Sequence, residues 1–211
     1  MAKKVNLATL FKGVTQALAE NQSALNTADS YNHDHGDNMV GIFEVITEAM
    51  KAKKGADPAD QLAYASQLLR ERSKSGSAGI YADGLAQASR QFQGTKLTSE
   101  TAPLLVQALL GGSQPQAPQP PATGVGDMLG SLLGGLGGAQ AAPGQPGLDV
   151  GDLLTAGMSF MQAKQGGSSD MDALVKALVG GSQVGQEAHR AQSGTLVANT
   201  LLQLMGSLGS R

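Results

Sequence analysis

The 211-residue chain has no cysteine and no tryptophan, and only 3% of its residues are aromatic. Without thiols there is no disulfide framework, no thiolate nucleophile and no cysteine-ligated metal, a usage that suits a reducing compartment. A formal charge of -2, with three tyrosines and four phenylalanines, offers neither a basic field nor stacking platforms. Nucleic acid is therefore not an expected partner. Isoleucine is scarce as well, at Ile42, Ile46 and Ile80 only. With few β-branched and aromatic residues the chain is short of the usual material of sheets, while abundant Ala, Leu, Gln and Met favour helix. No apolar run approaches the roughly 18 uncharged residues that a membrane span needs, and the lysines of Met1–Val5 lead into no apolar signal core. The expectation is a cytoplasmic protein with no stable membrane insertion.

What the sequence does contain is helical period almost throughout. A chain of this length buries one sizeable core, so residues 1–211 are read as a single all-α domain. Leu7, Leu10, Phe11, Val14, Leu18 and Leu25 recur every three or four residues, predicting one helix from Asn6 to Thr27. A second is expected to begin at Asn38, stack Met39, Ile42, Phe43, Ile46 and Met50, end in lysines that suit a helix C-terminus, and be closed by Gly55. Asp57-Pro58 supplies a cap and a preset first turn for a third helix carrying Leu62, Ala65, Leu68 and Leu69. The fourth follows the small-residue segment Ser75–Gly79 and aligns Ile80, Gly84, Leu85, Ala88 and Phe92 up to Gly94.

Leu105–Gln114 is nearly repeated at Leu174–Gln183, and both read as short helices stopped by Gly-Gly. Between them, residues 111–147 hold six of the eight prolines and eleven glycines, with Asp127 as the only charge, the composition of a low-complexity insertion or linker. Met128, Leu129, Leu132, Leu133 and Leu136 within it suggest a short docked amphipathic stretch, or else a weak membrane or partner contact. Two further helices are expected at Asp149–Gln165 and from Ser193 to Leu208, for a total of about eight.

Chemistry concentrates between Thr27 and Met39. Asp29, Asn32, Asp34, Asp37 and Asn38 place five oxygen donors within ten residues. Unpaired, these carboxylates repel one another, and a hard cation such as Mg²⁺ relieves that repulsion while leaving coordination positions for water and phosphate oxygens. Gly36 is expected to let the backbone turn tightly around the ion. The bland alternative is a solvated turn in which Asp37 or Asn38 merely caps the next helix. His33 and His35 also allow Zn²⁺ or Fe²⁺, with His189 completing a three-histidine site. A second candidate is Ser75-Gly76-Ser77-Ala78-Gly79, whose backbone N–H groups at a helix start would cradle a phosphate. It is no Walker motif, and a flexible cap is its ordinary reading. An acidic cluster and an anion cradle together describe a Mg-nucleotide site better than either does separately.

These residues resemble the nucleotide-binding L subunit of dihydroxyacetone kinase, the DhaL-like family. Its members carry Asp-x-x-x-x-Gly-Asp-x-Asp-His-Gly-x-Asn-Met between their first two helices, and Asp34-His35-Gly36-Asp37-Asn38-Met39 reproduces the end of that pattern. The family's Gly-Gly-Ala-Ser-Gly phosphate loop is approximated by Gly76–Gly79 at the same relative place. In register, Asn32 stands where the family has its middle Asp, and Asp29 takes the role of its first only through a deletion. The later Gly-Asp-Lys-Thr-Met-x-Asp segment is echoed at Gly167–Asp172, and the late Asp-Pro-Gly-Ala is replaced by Gln192-Ser193-Gly194-Thr195.

The resemblance implies a barrel of eight amphipathic antiparallel helices with Mg²⁺ and ADP or ATP at one mouth. Asp29, Asn32, Asp34 and Asp37 would serve the metal, and His35, Gly36, Asn38, Met39 and Ser75 to Gly79 the nucleotide. It further implies a kinase subunit serving phosphoryl transfer to a small hydroxy-ketone such as dihydroxyacetone, with the acceptor held by a separate substrate-binding subunit, since nothing in this chain supplies that domain. A noncatalytic helical barrel kept for assembly, or for an apolar ligand, is the alternative. A metal-dependent phosphohydrolase using His33-Asp34 would need a further histidine upstream, which the chain lacks.

Overall fold

Asn6 starts the first helix: in an extended N-cap conformation, its side-chain oxygen accepts the Thr9 N–H at 3.2 Å. The computed structural model describes residues 6–111 and 170–209, and these are all-α. Among the described residues there are eight α-helices, one 3-10 turn and no strand. They are α1 (Leu7–Glu20), α2 (Gln22–Ala28), α3 (His35–Ala52), α4 (Pro58–Arg72), α5 (Gly76–Gln91), α6 (Ala102–Leu109), α7 (Asp170–Gly180), the 3-10 turn Gln183–Gln186, and α8 (Ala188–Gly209). Most of the low-complexity stretch within 111–147, the helix expected at Asp149–Gln165, and Gly167–Ser169 lie outside the described residues.

Three expected boundaries moved, each for a local reason. The helix predicted to run unbroken from Asn6 to Thr27 is interrupted at Asn21. There the side-chain amide donates to the Ala17 carbonyl at 2.8 Å and competes with the backbone ladder. The Asn21 carbonyl then accepts the Leu25 N–H at 3.0 Å and starts α2. α3 begins at His35, three residues before Asn38, because its first N–H groups are satisfied from α2. Asn26 Oδ1 accepts Gly36 N–H at 2.6 Å and Asp37 N–H at 3.2 Å. α8 begins at Ala188 rather than Ser193, through a run too polar to show an apolar period, with the Ala191 N–H on the Glu187 carbonyl at 2.8 Å. Gly55 closes the third helix as expected, in the left-handed region (φ 93°) that other residues avoid.

The periodic apolar residues meet in one core. Leu10, Phe11, Val14 and Leu18 of α1 are fully buried, as are Phe43 and Ile46 of α3, Leu62 and Leu69 of α4, Leu85 of α5, Leu105 of α6 and Leu201 of α8. Burial of each such side chain stabilises by about 1.5–3 kcal/mol. Phe43 links three helices, lying 6.2 Å from Phe11 and, edge-on, 5.1 Å from Tyr81 between ring centroids. Thr15 adds a polar tie between α1 and α3, its hydroxyl 3.1 Å from both the Phe43 carbonyl and the Thr47 hydroxyl. Helix packing runs from α1 to α3, α4, α5, α6 and α8, and α8 returns to α1. That circuit brings the start of α8 beside the starts of α3 and α5.

Candidate functional site

The α2–α3 connection is organised by Asp29. It caps α2, is only 4% exposed, and accepts the Tyr31 N–H at 3.0 Å, an Asx-type turn. That bond, with the facing His189 and the Asn32 N–H acting in the same sense, holds its carboxyl below the usual range. Tyr31 projects from the turn at 95% exposure. His33 takes a left-handed backbone (φ 59°) and sets its Nδ1 3.3 Å from the Asn26 carbonyl.

The remaining donors of the acidic segment take different partners. Asp34 accepts the Asn38 amide at 2.7 Å. Asp37 faces α2 and accepts from the Gln22 amide at 2.5 Å and the Asn26 amide at 3.1 Å, and these bonds, Gln22 first, lower its pKa. Asn32 is exposed. Among the described residues, no group of three or more His, Asp and Glu side chains is placed to hold a metal ion. Gly36 serves packing: a Cβ there would fall on the Gln22 carbonyl oxygen, so its role in this structure is to admit the backbone of α2. Met39 is fully buried in the core. Asn38 and Asp37 border an open groove of about 440 Å³ that also involves Gly41, Glu48, Arg72 and Ser73.

His35, the first residue of α3, turns inward and is 4% exposed. Its Nε2 lies 2.9 Å from Ser193 Oγ, and its ring meets His189 edge-on at 4.7 Å. His35 and His189, remote in sequence, thus do meet, while His33 of the expected three-histidine set stays exposed on the turn. Ser193 has one hydroxyl proton, and it is directed to the Arg190 carbonyl at 2.9 Å, so His35 Nε2 acts as the N–H donor. Burial, with the adjacent His189 second, brings the His35 pKa down to about 4, and the ring is neutral at pH 7.

Ser75–Gly79 forms the first turn of α5 instead of an open loop. Ser75 is the N-cap, its hydroxyl accepting the Ala78 N–H at 3.2 Å, and its carbonyl takes the Gly79 N–H at 3.2 Å. Gly76 and Ser77 have N–H groups with no intrahelical acceptor, at the positive end of the helix dipole. Arg190 comes close to this turn: its Nη2 lies 3.3 Å from where a Cβ on Gly76 would sit. His35, Ser193, Arg190 and Gly76 therefore form a continuous path joining the acidic loop to the α5 N-terminus at one end of the molecule.

Asn26, Gln22, Tyr81, Arg190 and Ser193 belong to this end and were not singled out as site residues by sequence. Their only sequence signal is polarity within helices, which solvated faces share. Comparison with protein-family models, with curated proteins and with solved structures found no match. Among the described residues no helix is long and apolar enough to cross a membrane.

Proposed function

We propose that this end of the protein binds a Mg-nucleotide, ADP or ATP, and that the chain is a DhaL-like subunit serving phosphoryl transfer. The acceptor is a small hydroxy-ketone such as dihydroxyacetone, held on a partner kinase subunit. In this reading the circuit of six packed helices, α1, α3, α4, α5, α6 and α8, belongs to a helical barrel of the family's kind, and the starts of α3, α5 and α8 lie at its mouth. The observation that carries the reading is the approach of the acidic loop and the capped first turn of α5 through His35, Ser193 and Arg190.

The chemistry of the donors fits a hard cation. Asp29 and Asp37 are held ionised by the N–H groups they accept, and Asp34 lies between them in sequence. The amides on Asp34 and Asp37 all engage Oδ1, and a carboxylate hydrogen-bonded on one oxygen can ligate a dication, bound mainly through charge, with the other. The first turn of α5 orients phosphate oxygens, and Mg²⁺, when bound, neutralises them. Positioning and charge neutralisation are the contributions that phosphoryl transfer asks of a protein, and no nucleophilic side chain is needed.

Calorimetric titration with ADP and ATP, with and without Mg²⁺, tests this. Binding that requires or is strengthened by Mg²⁺ is expected, and no heat under either condition refutes it. A noncatalytic helical scaffold is the second reading, favoured by the separate partners that Asp34 and Asp37 take here. The same titration decides between the two.

A further inference from the structure

The first turn of α5 is covered in this structure. Ser77, 6% exposed, borders a space too tight for a water molecule together with Arg190 and Ser193 of α8. Arg190 Nη2 lies 3.3 Å from where a Cβ on Gly76 would sit. The cover is thus the amino-terminal turn of α8. None of residues 188–192 is buried as a whole, whereas Ser193, Gly194, Val197 and Ala198 further along the same helix are. A segment that buries so little apolar surface opens locally, well below the free energy of global unfolding. Its ties to the rest of the molecule are few: His35 Nε2 donates to Ser193 Oγ at 2.9 Å, and the His35 ring meets His189 edge-on. Arg190 works against these ties. Its Nε is buried without a hydrogen-bond partner, and its guanidinium lies at the positive end of the α5 dipole, a double cost that opening to water removes.

We propose that residues 188–192 are an autoinhibitory strap: closed, as here, they cover the first turn of α5, and they must lift away from Ser77 before a nucleotide reaches it. The proposal rests on the nucleotide reading for what the strap excludes, and adds to it the regulation of that site. The apparent affinity of a ligand that needs the open form is reduced by the fraction of molecules that are open. While the closed form predominates, a change that loosens the strap therefore tightens binding by the factor by which it raises the open population.

The absence of cysteine permits a direct test. Ser77→Cys places a single thiol under the strap, and Ser89→Cys places one at a buried position near the other end of α5. The rate at which each reacts with an aromatic disulfide reagent, relative to its rate in urea, reports how often that position is uncovered. Ser77→Cys is expected to react at least about a hundredfold faster than Ser89→Cys, which is uncovered only by global unfolding. Adding Ile46→Val, a core change remote from the strap, should speed Ser89→Cys severalfold and leave Ser77→Cys unchanged. Adding Ser193→Ala, which removes the hydroxyl tie, should speed Ser77→Cys about tenfold, and Ala191→Gly, which lowers the helix propensity of the strap, about fivefold. In the cysteine-free background the same two changes should tighten Mg-ADP binding by matching factors in calorimetry. Equal relative rates for the two thiols, or acceleration of both alike by Ile46→Val, overturn the strap. Faster Ser77→Cys labelling with unchanged Mg-ADP affinity overturns its inhibitory role. Should Ser193→Ala fail to fold, Ala191→Gly decides the matter. Mg-ADP binding with Ser77→Cys labelled only through unfolding defeats the strap alone, whereas local labelling without Mg-ADP binding by any variant defeats the nucleotide reading alone.

Discussion

Two glycines on one helix separate packing from propensity. Gly36 and Gly41 both lie in α3, and Ala is favoured over Gly inside a helix by up to about 1 kcal/mol. At Gly41 nothing lies within 4 Å of a new Cβ, so Gly41→Ala should raise stability by about 0.4–1 kcal/mol. At Gly36 the same methyl meets the Gln22 carbonyl oxygen and, at 2.8 Å, Asn26 Oδ1. Neither neighbour yields cheaply, because one is backbone and the other is held by the Gly36 and Asp37 N–H groups. Overpacking of this kind costs about 1–3 kcal/mol, which exceeds the propensity gain. The propensity gain is common to both variants, so they should differ by the overpacking cost, roughly 1–3 kcal/mol. At about 2–4 °C per kcal/mol for a domain of this size, that is roughly 2–12 °C in Tm. Urea unfolding and thermal melts of both variants at pH 7.5 measure it. A Gly36→Ala protein as stable as Gly41→Ala would refute the close approach of α2 and α3, and would return Gly36 to a role in ligand binding.

Three other outcomes are expected. Asn26→Ala removes the acceptor for two N–H groups of α3 and a donor to Asp37, so a loss of about 1–2 kcal/mol is expected by urea unfolding, and an unchanged midpoint would show that water replaces Asn26 fully. His35 binds its proton at about pH 4 when folded against about 6.5 unfolded, so the unfolded chain protonates first and stability falls as pH drops through that window. The loss by pH 4 is up to about 3 kcal/mol at 1.36 kcal/mol per pH unit, and should shrink in His35→Gln; an equal drop in both proteins would exclude His35 as its source. Asp34→Asn keeps shape and can still accept from Asn38, so it should leave Tm within about 2 °C while weakening Mg-nucleotide binding, whereas Asp60→Asn on the first turn of α4 should change neither; equal Mg-nucleotide affinity in wild type and Asp34→Asn would refute the metal role of Asp34.

The helices were legible because burial selects the residues that periodicity detects. Leu10, Phe11, Val14 and Leu18 predict the inner face of α1, and the same four are fully buried. Boundaries were less legible wherever a polar side chain decided them. Asn21 breaks a helix by bonding back to Ala17, yet an exposed Asn on the outer face would read identically. Asn26 starts α3 from another helix, and no rule confined to the residues around His35 reveals a cap supplied nine residues upstream. The early start of α8 has the same origin, since Gln186–Gln192 offers the period no apolar residue except Ala188 and Ala191.

At the candidate site, sequence located the segment but not the partner of each of its oxygen donors. Five donors within ten residues suggested mutual repulsion needing a cation, but repulsion also falls when each carboxylate finds its own N–H. Asp29 has the Tyr31 N–H, Asp34 the Asn38 amide, and Asp37 two amides from α2. Spacing along a chain counts donors but not their partners, so it cannot separate a cluster awaiting a metal from carboxylates already satisfied. Positive charge is the reverse case. Arg190 is a single residue in an unpatterned run, and it gains meaning only when α8 packs beside α5 and leaves its Nε without an acceptor. Asp34 and Asp37 each accept on Oδ1 alone and keep a second oxygen, so a satisfied cluster and a metal-ready one differ in where the loop places them, not in composition.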